Sequence, residues 1–218
     1  MQGKDTLFSK PITQLGEFRF DEQVAELVQM LEDAPPEPGG ILFYGSSTMG
    51  NWRTNDMCYS QMAPLPVTNT GFGGSTAEDA LYRYRELVSP VKPSVMVYYE
   101  GANDLMNNYT PEEVLDMTHR IFEWARQDFP GIKFLIMPIK LSPALEHILD
   151  SGTRCNEMFA DYASRYDDTG ILDLTSFMYN DDGSLRTDTY VDDMLHHTAE
   201  GYAELATYVK PVLEEIWK

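Results

Sequence analysis

The chain has 218 residues, 43% apolar and 23% charged, enough for one domain with a core of its own. Its formal net charge of −19 would be repelled by nucleic acid and by anionic membrane surfaces, so neither is expected as a partner. No stretch approaches the roughly 18 uninterrupted apolar residues of a membrane span.

The first residues, Met1 to Thr6, carry charge but no apolar h-region or small-residue cleavage site. A secretory signal is not expected there, and a cytoplasmic protein is. Cys58 and Cys155 are too few for a disulfide framework and read as reduced thiols. Neither lies in a CxxC pair, so a catalytic cysteine is not expected.

Residues 1–18 lack a clear period and read as an irregular arm. From Phe20 to Leu31 the apolar positions Val24, Leu27, Val28 and Leu31 have helical spacing. The Pro- and Gly-rich stretch Pro35 to Gly40 breaks that helix and leads into Ile41-Leu42-Phe43-Tyr44, a short apolar run that reads as a buried strand. Pro66 to Asn69 is a weaker strand, followed by a helix from about Ser75 to Val88. Ser94 to Tyr99 is the strongest strand, and Pro111 to Asp128 is a helix with its proline in the first turn. Ile132 to Met137 is a fourth strand, and a helix from about Leu149 to Tyr166 follows it. Gly170 to Leu174 is the fifth strand. Thr198 can cap a closing helix to about Trp217, with Pro211 expected to bend or interrupt it.

Strands alternating with helices predict an α/β fold: a parallel sheet covered on both faces, as one domain over residues 1–218 without linker or repeat. Ligands of such sheets bind beyond the carboxyl ends of the strands. Three short segments fall just there: Gly45-Ser46-Ser47, Gly71-Phe72-Gly73-Gly74 and Gly101-Ala102-Asn103-Asp104. A fourth, Asp193-Met194-Leu195-His196, lies near the C-terminus.

Together the four supply a hydroxyl, hydrogen-bond donors, and a carboxylate three residues before an imidazole, which are the parts of an acyl-transfer site. Each part has a plainer structural reading. Ser46, Ser47 and Thr48 suit a helix N-cap. The glycines suit a tight turn, and Asn103 suits a strand end. The acidic run Asp188, Asp192, Asp193 suits a solvated loop. Asp-x-x-His spacing selects His196 over His197 as the ring that Asp193 would orient. Gly74 would let a backbone N–H approach a substrate, and Asn103 offers an uncharged amide donor.

Other chemistries fit less well. The Gly45 segment lacks the final glycine of a GxSxG elbow, and no P-loop, HExxH or zinc-spaced CxxC is present. Asn180-Asp181-Asp182-Gly183 is a turn in composition and not a calcium loop. The cluster from Asp188 to His197 is the one candidate for a divalent metal, and no metal or cofactor is expected there.

The four segments resemble the blocks of the SGNH, or GDSL-type, esterases and acylhydrolases, and the resemblance runs from about Ile41 to Tyr202. Within that family the order Gly-Phe-Gly-Gly-Ser-Thr before Gly-x-Asn-Asp looks most similar to bacterial proteins of the platelet-activating-factor acetylhydrolase type. Two positions depart from the usual pattern: Ser46 stands where many members have Asp, and His197-Thr198 where many have Pro-Asn or Leu-Asn.

The resemblance implies a flavodoxin-like three-layer α/β/α sandwich with a five-stranded parallel sheet. It also implies Ser47 as nucleophile, His196 as base and Asp193 as its acid. The oxyanion hole would be the Ser47 N–H, the Gly74 N–H and the Asn103 side chain. The expected reaction is removal of a small acyl group, acetyl before others, from a carbohydrate or small-metabolite ester. A lysophospholipase or thioesterase on the same triad is the alternative, and a non-catalytic ligand-binding protein of the same fold is a further one. Trp52 and Glu100 are candidates for substrate contact, and Tyr44, Tyr98 and Tyr99 lie close enough in sequence to join them. A homodimer is compatible with a compact acidic domain.

Overall fold

The computed structural model describes residues 20–217, and the irregular arm expected over residues 1–18 lies outside them. Five strands form one parallel sheet: β1 (Ile41–Gly45), β2 (Val67–Asn69), β3 (Val95–Tyr99), β4 (Lys133–Ile136) and β5 (Thr169–Ile171), in the order β2-β1-β3-β4-β5. The order reverses direction between β1 and β3, which places a topological switch point at their carboxyl ends.

Alternation along the strands sorts the side chains into two cores. Leu42, Tyr44, Met96, Tyr98, Phe134 and Ile136 face one layer. Ile41, Phe43, Val95, Val97, Tyr99 and Leu135 face the other. Because both faces are covered, the strands are apolar throughout rather than alternating with polar residues.

The first layer holds α1 (Asp21–Asp33), α4 (Ala77–Tyr82), α5 (Tyr84–Leu87), α7 (Pro111–Asp128) and α8 (Leu149–Ala163), joined at the carboxyl edge by the short α6 (Ala102–Met106). The second holds α2 (Ser47–Arg53), α3 (Met57–Met62), α9 (Thr175–Met178) and α10 (Ala199–Ile216). The result is the expected three-layer α/β/α sandwich. Among the described residues, no helix is long and apolar enough to cross a membrane.

Local chemistry explains the helix starts. Thr110 accepts the Glu113 N–H while Glu113 accepts the Thr110 N–H, with Pro111 at the first position. Thr76 and Asp79 close the same box on α4. Thr198 Oγ1 accepts the Gly201 N–H at 2.9 Å and fixes the entry to α10.

Three expectations are refined. The single helix over 75–88 is two, because Arg83 leaves helical geometry (ψ 5°) and its guanidinium pairs with Asp21 of α1 and with Glu86. The fifth strand is shorter and ends at Ile171. α10 runs uninterrupted through Pro211, which sits on the exposed side, where the carbonyl deprived of its partner meets water.

Gly45 closes β1 where three segments converge. Its carbonyl accepts the Phe72 N–H at 2.9 Å, and the next amide, of Ser46, donates to Tyr99 O at 3.0 Å. Its φ is +145°, and a Cβ there would lie 2.0 Å from the Tyr99 carbonyl oxygen. Glycine is therefore required for the turn that follows. We expect Gly45→Ala to lower stability by roughly 3 kcal/mol or more, from backbone strain and a backbone clash together. Urea denaturation midpoints check this, and an unchanged midpoint would refute it.

Candidate active site

Ser47 is the first residue of α2, immediately beyond the Gly45 turn. Its neighbour Ser46 is the N-cap but makes no side-chain capping bond, so the capping explanation of this serine pair has no hydroxyl acting as a cap. Ser47 Oγ lies 3.2 Å from His196 Nε2, and His196 Nδ1 lies 2.6 Å from Asp193 Oδ2. Asp193 Oδ1 accepts the backbone N–H groups of Leu195 and His196, both at 2.8 Å. These bonds, with the His196 backbone N–H first and the imidazole second, hold its carboxyl far below the usual carboxylate range.

The loop that presents this pair is tightly folded. Met194 occupies the left-handed region (φ 54°), Met194 N donates to Val191 O at 2.9 Å, and Val191 N donates to His196 O at 2.8 Å. A carboxylate at Nδ1 selects the tautomer that leaves the Nε2 lone pair for the hydroxyl proton. Carboxylate, imidazole and half-buried hydroxyl thus form a continuous relay.

The second and third glycine-bearing segments meet beside it. Gly74 is exposed with φ +85° in the turn that leads into α4. The residue before it is gripped by α1: Gln23 Oε1 accepts the Gly73 N–H at 2.9 Å, and Gln23 Nε2 donates to Gly73 O at 3.3 Å. Asn103, half-buried at the start of α6, donates from Nδ2 to Ser75 O at 2.7 Å. That uses one of the two hydrogens on its amide nitrogen and leaves the other.

Asp104 locks the same junction, accepting the Ala77 N–H at 2.9 Å and the Gly101 N–H at 3.1 Å. It is fully buried, and burial pushes its carboxyl up to about 7. Ser75 Oγ donates to Glu100 Oε1 at 2.7 Å.

Behind the serine lies a polar shell that the sequence alone did not reveal. Thr48 Oγ1 accepts from Lys140 Nζ at 3.0 Å, and the Thr48 carbonyl accepts from Tyr202 Oη at 3.0 Å. Lys140 is only 4% exposed, and burial lowers its amine to about 7. His197 points away from the serine: its Nδ1 lies 3.2 Å from Thr189 O, and its ring stacks on Tyr190. Burial pushes it down to about 3, so it is neutral at ordinary pH.

Asn69 and Arg53 tie the glycine segment to α2. Asn69 Oδ1 accepts the Gly71 N–H at 2.9 Å, Asn69 Nδ2 donates to Met49 O at 2.9 Å, and Arg53 donates to Gly71 O at 2.8 Å. No motif marks Lys140, and Tyr202 enters only as the end of the family resemblance, with no role assigned to it. Their only other sequence signal is a polar group beyond the end of a strand and on the first turn of a helix.

The aromatic candidates for substrate contact sit elsewhere. Trp52 is fully buried, stacked on Tyr202 and donating to Gln61 Oε1 at 2.6 Å. Tyr44 and Tyr98 pack in the first core and Tyr99 in the second, as the opposite facings of adjacent strand residues require. Glu100 is 1% exposed and bonded to Ser75. The structure therefore corrects the expectation of a substrate-facing role for Trp52 and Glu100: their side chains belong to the core and to the support of the loops. Among the described residues, no group of three or more His, Cys, Asp or Glu is arranged to hold a metal ion. Asp188, from the candidate cluster, is engaged by the Arg186 guanidinium at 2.7 and 3.0 Å.

The same fold occurs in solved structures of low sequence identity. A candidate platelet activating factor protein from Streptococcus pneumonia superposes with a TM-score of 0.72 at 16% identity, covering 88% of this chain and 92% of that one. A GDSL-like lipase from Bacteroides thetaiotaomicron VPI-5482 gives 0.71 at 19% identity, covering 92% and 98%. A candidate acylhydrolase from Bacteroides fragilis NCTC 9343 gives 0.70 at 22% identity, covering 92% and 96%. No curated protein sequence matches this chain. The sequence model of the GDSL-like lipase/acylhydrolase family matches residues 41–204, a span that contains all four segments. By that match the chain belongs to the GDSL-like lipase/acylhydrolase family and is a serine hydrolase acting on esters.

Proposed function

We propose that this hydrolase removes a small acyl group, acetyl before others, from a carbohydrate or similar small-metabolite ester through an acyl-enzyme. The observation that carries the reading is the relay Asp193–His196–Ser47, closed at 2.6 and 3.2 Å. His196 Nε2 takes the Ser47 proton as Oγ attacks the ester carbonyl, and Asp193 stabilises the imidazolium that forms. The proton then passes to the alkoxide oxygen of the leaving alcohol, which departs. His196 next draws a proton from water, the resulting hydroxide attacks the acyl-enzyme, and Ser47 regains its proton as the acid is released.

The tetrahedral oxygen is assigned to the Ser47 N–H, the Gly74 N–H and the second amide hydrogen of Asn103. Ser47 N belongs to the first turn of α2, where backbone donors have no partner within the helix. The Asn103–Ser75 bond holds the asparagine at the mouth of the glycine turn.

Two features support a small, uncharged substrate. The large aromatic side chains near the site are consumed in the two cores, so they build no long apolar wall around an acyl chain. A net charge of −19 disfavours polyanionic acyl donors and anionic lipid surfaces. A longer acyl chain has one observation in its favour: Val191 and Met194, on the histidine loop, are 41% and 36% exposed.

Hydrolysis of p-nitrophenyl acetate, butyrate and octanoate, with EDTA present, separates these readings. We expect acetate to be turned over fastest, and a rate rising toward octanoate would move the assignment to lysophospholipid or thioester substrates. Ser47→Ala should lower kcat by on the order of 10⁴-fold or more, and a Ser47→Ala protein as active as wild type would remove the serine mechanism. Asp193→Asn should cost on the order of 10³–10⁴-fold in kcat through loss of the correct tautomer. Asn103→Ala should cost on the order of 10²–10³-fold in kcat with a smaller change in KM, and a wild-type kcat would exclude its amide from the oxyanion hole.

A further inference from the structure

Lys140 lies in the irregular segment beyond the carboxyl end of β4 and is 4% exposed. Among the described residues no carboxylate lies within ion-pair distance of it, and its bonded partner is Thr48 Oγ1 at 3.0 Å. Thr48 follows Ser47 directly and is itself held from the other side by Tyr202. Any shift of Thr48 is therefore passed to Ser47 Oγ, whose contact with His196 is already long for an O–H to nitrogen bond. A buried amine without a counter-ion is costly to keep, and apolar replacements of similar size are generally tolerated at such places. Its place here calls for a reason beyond packing.

We infer that Lys140 is a positioning residue: its amine fixes the nucleophile's turn through Thr48 Oγ1, and its protonation state modulates the imidazolium formed on His196. The inference rests on Ser47 and His196 acting as proposed above. The titratable groups facing Lys140 are Asp193 and His197 from the loop before α10 and Tyr99 from β3, with His196 and Tyr190 next to these.

The sign follows from the nearest charges. Protonated Lys140 lies in the field of Asp193, the counter-charge of the imidazole, and offsets part of it, so it opposes a positive charge forming on that ring. Once Lys140 releases its proton, near the value of about 7 to which burial lowers it, that opposition ends while an N–H remains to donate to Thr48. Turnover should therefore gain a second rise across neutrality, beyond the one set by the base itself.

Two variants separate the hydrogen bond from the charge. Lys140→Gln keeps a donor for Thr48 Oγ1 without a titrating charge, and Lys140→Met keeps neither. We expect the pH profile of kcat for wild type to contain two ascending steps, and both variants to show one. At pH 8, Lys140→Met should lose about tenfold in kcat, the equivalent of one hydrogen bond, with KM changed less than about twofold. Lys140→Gln should stay within about threefold of wild type.

A role in packing alone would shift thermal stability and leave the shape of the profile intact. Two steps persisting in both variants, or a wild-type kcat in Lys140→Met, would overturn the inference. If Lys140→Met does not fold, the profile of Lys140→Gln decides by itself. Ser47→Ala assayed in parallel keeps the two readings apart. An active Ser47→Ala removes the serine mechanism, whereas an inactive one beside an unaltered Lys140→Met removes only the role of Lys140.

Discussion

The proposed chemistry hangs on one contact, 3.2 Å between Ser47 Oγ and His196 Nε2, two atoms 149 residues apart in the chain. A misplacement of about 1 Å at such a contact costs on the order of 10²-fold in rate, so the fold has to fix α2 against the loop before α10 more tightly than packing in general requires. It does so from several directions. Tyr202, in the first turn of α10, donates to the Thr48 carbonyl and stacks on Trp52 of the same short helix at 5.6 Å between ring centroids. Thr198 caps α10, and the Ala144 N–H, from the segment after β4, reaches Met194 O at 3.3 Å. Trp52, buried without a face to the solvent, thus bears on the reaction as part of the bearing between two helices.

Much of this was legible in the chain because the signals are local. Five apolar runs, each ending at a polar or glycine-bearing segment, gave the strands. Pro111 in a first turn and Thr198 as a cap gave helix starts to within a residue. Asp193 and His196 were readable as a pair because three residues and one turn suffice to join them. Of the short helices α2, α3, α6 and α9, only a helix or turn entrance at Ser47 was foreseen. They contain four to seven residues, too few to show a period, and are held by tertiary contacts rather than propensity.

Residues whose roles depend on distant partners were the least legible. Nothing around Lys140 announces that its amine will meet Thr48, 92 positions earlier. The aromatic residues flanking the first and third segments illustrate the converse. Proximity in sequence to Ser47 and Asn103 suggested a lining for a sugar. The strand pleat turns Tyr98 and Tyr99 to opposite cores, and the helix turns Trp52 inward. Being next to a reactive residue along the chain says little about facing the same way.

Burial around the reactive edge also serves the site. Around the reactive edge the protein buries an amine, an imidazole and a carboxyl, and burial drives all three toward their neutral forms. Lys140 falls to about 7, His197 to about 3, and Asp104 rises to about 7. Asp193 goes the other way, exposed and held as a carboxylate by two backbone N–H groups and the ring of His196. A transition state of acyl transfer separates charge between an imidazolium and an oxyanion, and fixed charges close by would favour one at the expense of the other. Neutral buried groups supply rigid hydrogen bonds without that bias. In the proposed mechanism Asp193 supplies the counter-charge where the imidazolium forms. On this view the desolvation of Lys140, His197 and Asp104 is a stability cost tied to the reaction, and Lys140 and Asp104, both poised near neutrality, are the members of the set whose charge still varies with pH.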